Sequence, residues 1–300
     1  MYNTSLLTNN LFDKEKKIFL KYLVEIGGPE LHDYDTFTSI VNSLNPSYID
    51  EFRGIIMPIL NVNTLIGHGF VKPYGYPGDF ALINHIYSFY VNEDNGYRNW
   101  DVFFQNQPAA HAVRNRKKYF LDYCNKLIEK NKQGIKVLIL GSGPATDVNE
   151  FLIDYQSNNV SFDLIDFDQN AIDFSMKKND KFNDVISYSR INVLRFKPYK
   201  MYDLIWSAGL FDYFRDKHFI YLLRKYVNCL ADEGEFVISN FSMENPTRRL
   251  MEVLSDWYIN HRSKADLLRL AIEAGINDRM VKIDSEPLGI NLFLKIHADM

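Results

Sequence analysis

The 300-residue chain is 46% hydrophobic and 24% charged, with a formal net charge of −4 at pH 7, which places it among globular proteins able to bury a substantial core in one large or two modest domains. No basic stretch rises above background, so nucleic acid is not a favoured partner, and no apolar window approaches the roughly 20 residues of a membrane span. The two cysteines, Cys124 and Cys229, give neither a disulfide framework nor a zinc spacing, and both are expected to be reduced and buried in helices.

In chain order, MYNTSLLTNN lacks the basic start and apolar run of a signal peptide, so a cytoplasmic location is expected. Phe12, Ile18, Phe19, Tyr22, Leu23 and Ile26 fall at helical spacing, and Gly27-Gly28-Pro29 ends that run. A second helix is predicted over 35–44. A third is predicted over 48–60, capped by Ser47 after the Asn45-Pro46 break. Residues 67–79 form a glycine- and proline-rich segment, and Asp79 stands at the N-cap of a helix carrying Ile83, Ile86, Tyr87 and Tyr90. A long helix is predicted from about Pro108, ended by 131–134. Residues 1–130 are therefore expected to form a helical N-terminal cap, or lid, with Gly75 and Gly78 as hinges.

The pattern then changes. Residues 137–140 are apolar without interruption, as in a parallel strand covered on both faces. Further strands are predicted at 161–165 (interrupted by Asp163), 186–188, 202–206 and 235–239. Helical patterns lie over 147–155, 170–178, 217–230 and 248–274, the last with a break near His261. Such alternation marks a doubly wound parallel sheet over residues 131–300. Two last strands, 281–286 and 291–297, flank Pro287-Leu288-Gly289, a connection too short for a parallel return, so they should pair antiparallel. The predicted fold class is α/β: a Rossmann-like sheet of the class I methyltransferase kind, with an antiparallel C-terminal hairpin.

The sharpest motif is Val137-Leu138-Ile139-Leu140-Gly141-Ser142-Gly143-Pro144-Ala145-Thr146-Asp147. Glycines there let the backbone turn tightly and approach a ligand, and the following helix offers free N–H groups to an anion or carboxylate. Asp166 ends the second strand, where both NAD and S-adenosylmethionine (SAM) sites use a carboxylate to accept from ribose hydroxyls. Asp168 is expected to cap the next helix. The third glycine of a dinucleotide fingerprint is Thr146 here, which with the terminal hairpin favours SAM over NAD. The predicted cofactor contacts are Gly141, Ser142, Gly143, Asp166, Phe167, Asn192 near the adenine amino group, Val193, Ser207 and Ala208. No metal-ligand cluster stands out.

Beyond these motifs, Lys72-Pro73-Tyr74-Gly75-Tyr76-Pro77-Gly78-Asp79, Pro108-Ala109 with Ala112-Val113-Arg114-Asn115-Arg116, the stretch from Ser207 to Tyr213, and Trp257 with His261-Arg262-Ser263 carry a resemblance. From about residue 50 onward, the chain resembles the bacterial extracellular-factor (3-hydroxypalmitic acid methyl ester) biosynthesis methyltransferases. The resemblance implies methyl transfer from SAM to the carboxylate of a 3-hydroxy fatty acid.

Acceptor chemistry sets what the chain must supply. A carboxylate is already nucleophilic at neutral pH and needs an arginine to hold it, Arg114 or Arg116. A hydroxyl or amine needs a base, for which Asp79, His85, His111 and Asp212 are candidates. Tyr74, Tyr76, Phe211 and Tyr213 offer aromatic faces to a sulfonium cation. The segment 257–262 either lines the acceptor pocket or packs the C-terminal helix. Asp212, Tyr76, Asp79, Arg114 and Tyr213 are the residues expected to carry the reaction. Methyl transfer to oxygen on a small molecule leads, transfer to nitrogen is nearly as compatible, and an NAD-dependent oxidoreductase or a non-catalytic SAM-binding protein are the other classes.

Overall fold

The alternating apolar runs of the second half become a seven-stranded sheet in the computed structural model, which describes residues 12–131, 134–155 and 159–298. The N-terminal decapeptide read for a signal sequence lies outside the described residues. In chain order the helices are α1 (Lys14–Glu25), α2 (Tyr34–Ser43), α3 (Ile49–Ile56), α4 (Leu65–Val71), α5 (Phe80–Tyr87), α6 (Arg98–Gln105), α7 (Pro108–Lys130), α8 (Thr146–Asp154), α9 (Gln169–Lys178), α10 (Asp216–Val227), α11 (Arg248–Ser255) and α12 (Lys264–Glu273). The strands are β1 (Ile135–Leu140), β2 (Val160–Asp166), β3 (Ile186–Arg190), β4 (Tyr202–Ala208), β5 (Leu230–Phe241), β6 (Val281–Ser285) and β7 (Asn291–His297).

Two compact units result. The first joins the chain up to His111 with Pro246–Tyr258, and the second joins Ala112–Asn245 with the chain from Ile259 onward. The division thus differs from a single cut near residue 130, because α11 packs with the N-terminal helices. Its Leu250, Val253 and Leu254 share a core with Phe19, Leu20 and Leu23 of α1, Phe37 and Val41 of α2, Phe52 and Ile56 of α3, and Trp100 and Phe103 of α6. Polar ties match this packing. The Arg53 guanidinium donates to the Val253 and Glu252 carbonyls at 2.9 and 3.1 Å, satisfying acceptors that the end of α11 leaves open.

In the second unit the strand order is β3-β2-β1-β4-β5-β7-β6. The pairs from β3 through to β5 are parallel, and β7 lies antiparallel between β5 and β6. The core on one face gathers Leu138, Leu140, Phe219 and Leu222 of α10, and Leu267 and Leu270 of α12. On the other face Phe120 of α7 and Val148 and Phe151 of α8 cover Ile139, Trp206, Val237 and Phe293. Asp163, the acid that interrupts β2, is buried but satisfied: the Tyr202 hydroxyl donates to it at 2.6 Å and Lys200 pairs with it at 3.0 Å.

Several local expectations need correction. The segment 67–79 is not all loop, because α4 runs through Val71, held at its start by the Thr64 hydroxyl accepting the Gly67 N–H at 2.8 Å. Ser47 caps nothing: the Asn45 side chain accepts its N–H instead and opens a short 3₁₀ turn before α3. The helical pattern over 248–274 splits into α11 and α12 with eight non-helical residues between, 256–263, where Asp256 adopts a left-handed conformation. α6 carried no separate prediction. Cys124 is buried in α7, but Cys229 is half-buried in the turn before β5 rather than in a helix. No helix among the described residues is long and apolar enough to cross a membrane.

Candidate functional site

The strand order reverses between β1 and β4, and ligands of open α/β sheets bind at the carboxyl ends of the strands where that happens. The glycine motif leaves β1 at that point. Gly141 and Ser142 both direct their N–H groups to the Ile165 carbonyl of β2, at 2.8 and 3.1 Å, which folds the turn back over the sheet. Both glycines have positive φ, +69° at Gly141 and +54° at Gly143, but their surroundings differ. A Cβ on Gly141 would lie 3.0 Å from Leu210, whereas one on Gly143 would meet nothing within 4 Å. The first glycine serves packing against the segment after β4, and the second opens onto empty space.

Polar groups around that space are only partly satisfied. The Ser142 hydroxyl is buried with no hydrogen-bond partner among the described residues. α8 begins at Thr146 behind Ala145, which has φ +46° and no side chain able to cap it. Asp166 is buried, and its two oxygens accept the Gly143 and Asp168 N–H groups at 2.9 and 3.0 Å. Burial raises its pKa against those bonds. Each oxygen retains a second acceptor site. Phe167 beside it is exposed. Asp168 caps α9 through the Asn170 N–H at 2.9 Å.

Three charges stand close by. Arg116 of α7 is buried, with its guanidinium against Gly209: a Cβ there would sit 2.8 Å from Nη1 and 3.1 Å from Nη2. Its charge acts on both Asp147, in the first turn of α8, and Asp212, in the 3₁₀ turn Phe211–Tyr213 after β4. Desolvation pushes both acids up to about 6, and the arginine opposes that rise in each. Asp212 also accepts the Phe241 N–H at 2.7 Å. Arg262 bridges the Asn240 side chain and the Phe214 carbonyl at 2.8 and 2.6 Å, bracing the same turn. Arg114, half a turn before Arg116, is half-buried, and desolvation lowers its pKa.

Other sequence-predicted residues are placed differently. The Ser207 hydroxyl donates to the Leu140 carbonyl at 2.9 Å, tying β4 to β1 and leaving the side chain buried in the sheet. Ala208 is half-buried at the strand's end. Asn192 is exposed and spends its side-chain oxygen on the Leu194 N–H. Val193 is buried in the core of the α10 face, with its carbonyl accepting the Tyr226 hydroxyl at 2.7 Å. Phe211 lies fully buried among Phe214, Phe219 and Phe236, so it packs the core rather than facing a ligand, while Tyr213 is exposed.

Tyr76 and Asp79 belong to the first unit. Asp79 is the N-cap of α5 through the Ala81 and Leu82 N–H groups, and it also holds His68 Nε2 at 2.8 Å. It is therefore a committed carboxylate of a buried His68–Asp79 pair. The Tyr74 ring packs on Phe80 at 4.5 Å. Trp257 packs against Gly78 in the same unit. His85 lies 6.5 Å from His68 between ring centroids, and desolvation lowers its pKa. His111 is exposed. Asp147 and His68 were not singled out in the sequence: their roles come from neighbours distant along the chain.

No family model matches the chain, and no curated protein matches it. Solved structures do. A protein of Bordetella parapertussis described as a possible exported protein is 17% identical, with 97% of this chain and 100% of that chain covered and a TM-score of 0.66. The SAM-dependent methyltransferase SibL in its apo form is 14% identical over 95% of this chain and 94% of its own, with a TM-score of 0.52. Magnesium protoporphyrin IX methyltransferase from Synechocystis, solved with bound S-adenosylhomocysteine (SAH), is 9% identical over 65% of this chain and 89% of its own, with a TM-score of 0.50. With the sheet order and antiparallel end described above, these likenesses give the chain the class I methyltransferase fold, a Rossmann-like α/β sheet with a helical N-terminal region.

Proposed function

We propose that this chain is a SAM-dependent methyltransferase acting on a small molecule, with a carboxylate or another oxygen as acceptor. The observation that carries the reading is the turn after β1. At the switch point of the sheet it presents a glycine with open space where a Cβ would be, a buried serine hydroxyl with no partner among the described residues, an uncapped helix start and a carboxylate with acceptor sites to spare. Those features fit an adenosyl amino acid: Asp166 would take the ribose hydroxyls, Phe167 would cover the adenine, and Ser142 and Gly143 would line the chain that joins them. When bound, SAM supplies an electrophilic methyl on its sulfonium.

The chain's own residues do the rest. Arg114 holds an acceptor carboxylate, which needs no base because it is ionised at neutral pH. Asp212 keeps a negative charge near the strand tips, complementary to a cation, and the exposed ring of Tyr213 adds an aromatic face. Within the first unit, Tyr76 and the His68–Asp79 pair are proposed as acceptor residues, the histidine serving a hydroxyl substrate as base and Asp79 orienting it. Ser207, Ala208, Asn192 and Val193 act on the cofactor through the backbone they shape. The resemblance to the 3-hydroxypalmitate ester family makes a 3-hydroxy fatty acid the first acceptor to try. Titration calorimetry with SAM and with NAD tests the cofactor, and heat with NAD alone rejects the proposal. SAH release with a panel of acids, amines and phenols tests turnover.

A further inference from the structure

The His68–Asp79 pair does not stand alone in the first unit. Asp79 accepts the Ala81 and Leu82 N–H groups as well as His68 Nε2, so it is an acceptor throughout and the proton of that last bond belongs to the imidazole. His68 Nδ1 is then a lone pair, and it has no hydrogen-bond partner among the described residues. Two rings approach this imidazole: Tyr74, with its centroid 6.4 Å away, and His85, edge-on at 6.5 Å. The His85 ring in turn lies 4.4 Å from that of Tyr90. Desolvation lowers the pKa of His85, so at neutral pH it presents an uncharged ring. Lys72, the only lysine or arginine of the loop 72–79, is already paired with Asp256 at 2.6 Å, which leaves that loop no cation for a carboxylate.

The turn after α5 fixes Tyr90 through a strained neighbour. The Phe89 and Tyr90 N–H groups donate to the Ile86 and His85 carbonyls at 3.2 and 2.9 Å, the paired bonds that end a helix on a left-handed residue. That residue is usually glycine; here it is Phe89, with φ +53°. Buried Gln105 locks the turn by donating to the His85 and Tyr90 carbonyls at 3.0 and 2.9 Å. The Phe89 ring is exposed, as are those of Tyr74 and Tyr90. A glycine would make the same turn without strain, and strain kept at an exposed ring points to a ligand contact. Resting on the reading of His68 as the acceptor's base, we propose that Tyr74, His85, Phe89 and Tyr90 form an aromatic wall for the acceptor, a flat aromatic hydroxyl compound with its hydroxyl on His68 Nδ1. In the transfer that hydroxyl proton passes to Nδ1 while the oxygen gains the methyl from SAM, and SAH leaves. An aliphatic hydroxy acid would meet the same base without the ring contacts.

Three probes separate the ring from the hydroxyl: 2-naphthol has both, decahydro-2-naphthol keeps the hydroxyl without the aromatic faces, and 2-methoxynaphthalene keeps the rings without the O–H. Affinities are measured by calorimetry, and thermal melts report folding, for wild type, Phe89→Gly, Tyr90→Leu and His68→Gln. Wild type should bind 2-naphthol about tenfold more tightly than decahydro-2-naphthol, the scale of one or two aromatic contacts. Tyr90→Leu, at an exposed position, should erase most of that preference. Phe89→Gly should raise Tm by about 2–4 °C, because the strain is relieved, and yet bind 2-naphthol about fivefold more weakly. A residue that serves the fold alone would show no such opposition. His68→Gln should lose the preference for 2-naphthol over 2-methoxynaphthalene while keeping that for rings. Equal wild-type affinities for 2-naphthol and decahydro-2-naphthol, or a Phe89→Gly protein that loses stability and keeps its affinity, overturn the inference while leaving the acceptor reading of the His68–Asp79 pair intact. Wild type binding 2-methoxynaphthalene as tightly as 2-naphthol overturns that reading itself.

Discussion

Gly141 and Gly143 stand two residues apart in the same turn, yet alanine at each should damage different properties. At Gly143 the added methyl meets no atom within 4 Å, so the cost to folding is the positive φ alone, about 1 kcal/mol. In a unit of this size that lowers Tm by about 2–4 °C. The same methyl enters the space assigned to the ligand, so SAM affinity should fall at least tenfold in Gly143→Ala and become undetectable in Gly143→Arg. At Gly141 the methyl meets Leu210 at 3.0 Å, and the crowding adds to the backbone term, for a total of about 2–4 kcal/mol. Scanning calorimetry and SAM titration on the pair make the comparison. Gly143→Ala should be the more stable and the weaker binder. A Gly143→Arg protein that takes up SAM as tightly as wild type, or a Gly143→Ala protein less stable than Gly141→Ala, would refute the reasoning.

Other substitutions test other parts. Asp101 is buried and pushed up to about 6 by desolvation, although the Leu65 and Asn92 N–H groups donate to it. A carboxyl whose folded pKa lies above its unfolded value adds stability below about pH 4 and loses it as pH rises through about 6. Asp101→Asn should therefore fall further below wild type at pH 4.5 than at pH 7, and equal gaps in urea midpoints at the two pH values would contradict this. Gly78→Ala should cost about 3 kcal/mol in thermal unfolding, because its Cβ would lie 2.3 Å from the Trp257 ring and φ is +66°. Asp163→Ala should cost about 2–3 kcal/mol in chemical denaturation, since the buried Tyr202 hydroxyl loses its acceptor. Replacing Tyr202 by Phe as well should recover part of that loss.

Much of the second unit was legible because its signals are local. The apolar run into Gly141 and the acid at Asp166 come from two short stretches, and the five-residue link between β6 and β7, 286–290, is too short for a parallel return. The first unit was less so. α4 and α6 have eight residues or fewer, too short for periodicity to stand out, and α4 is interrupted by Gly67 and Gly69. Within the site, the backbone-shaping positions were read correctly as a turn, but side-chain commitments were not. Ser207 and Asn192 look like free ligand contacts in sequence, but the Ser207 hydroxyl donates to the Leu140 carbonyl and the Asn192 side-chain oxygen accepts the Leu194 N–H. Phe211 looks like an exposed aromatic after a strand and is swallowed by the core. Asp147 draws its meaning from Arg116, 31 positions earlier, a relation no window of sequence contains.

The return of α11 to the first unit constrains the order in which this protein can mature. Phe37, Phe52 and Trp100 are complete in the nascent chain by residue 100, but Leu250, Val253 and Leu254, which close the same core, are made only after β1 to β5. At a ribosomal pace of about 5–20 residues per second, the N-terminal helices wait on the order of 10 s for their last partner. A fragment ending at His111 would lack Leu250, Val253 and Leu254 from its core, and one starting at Ala112 would leave the apolar face of α11 without its partners.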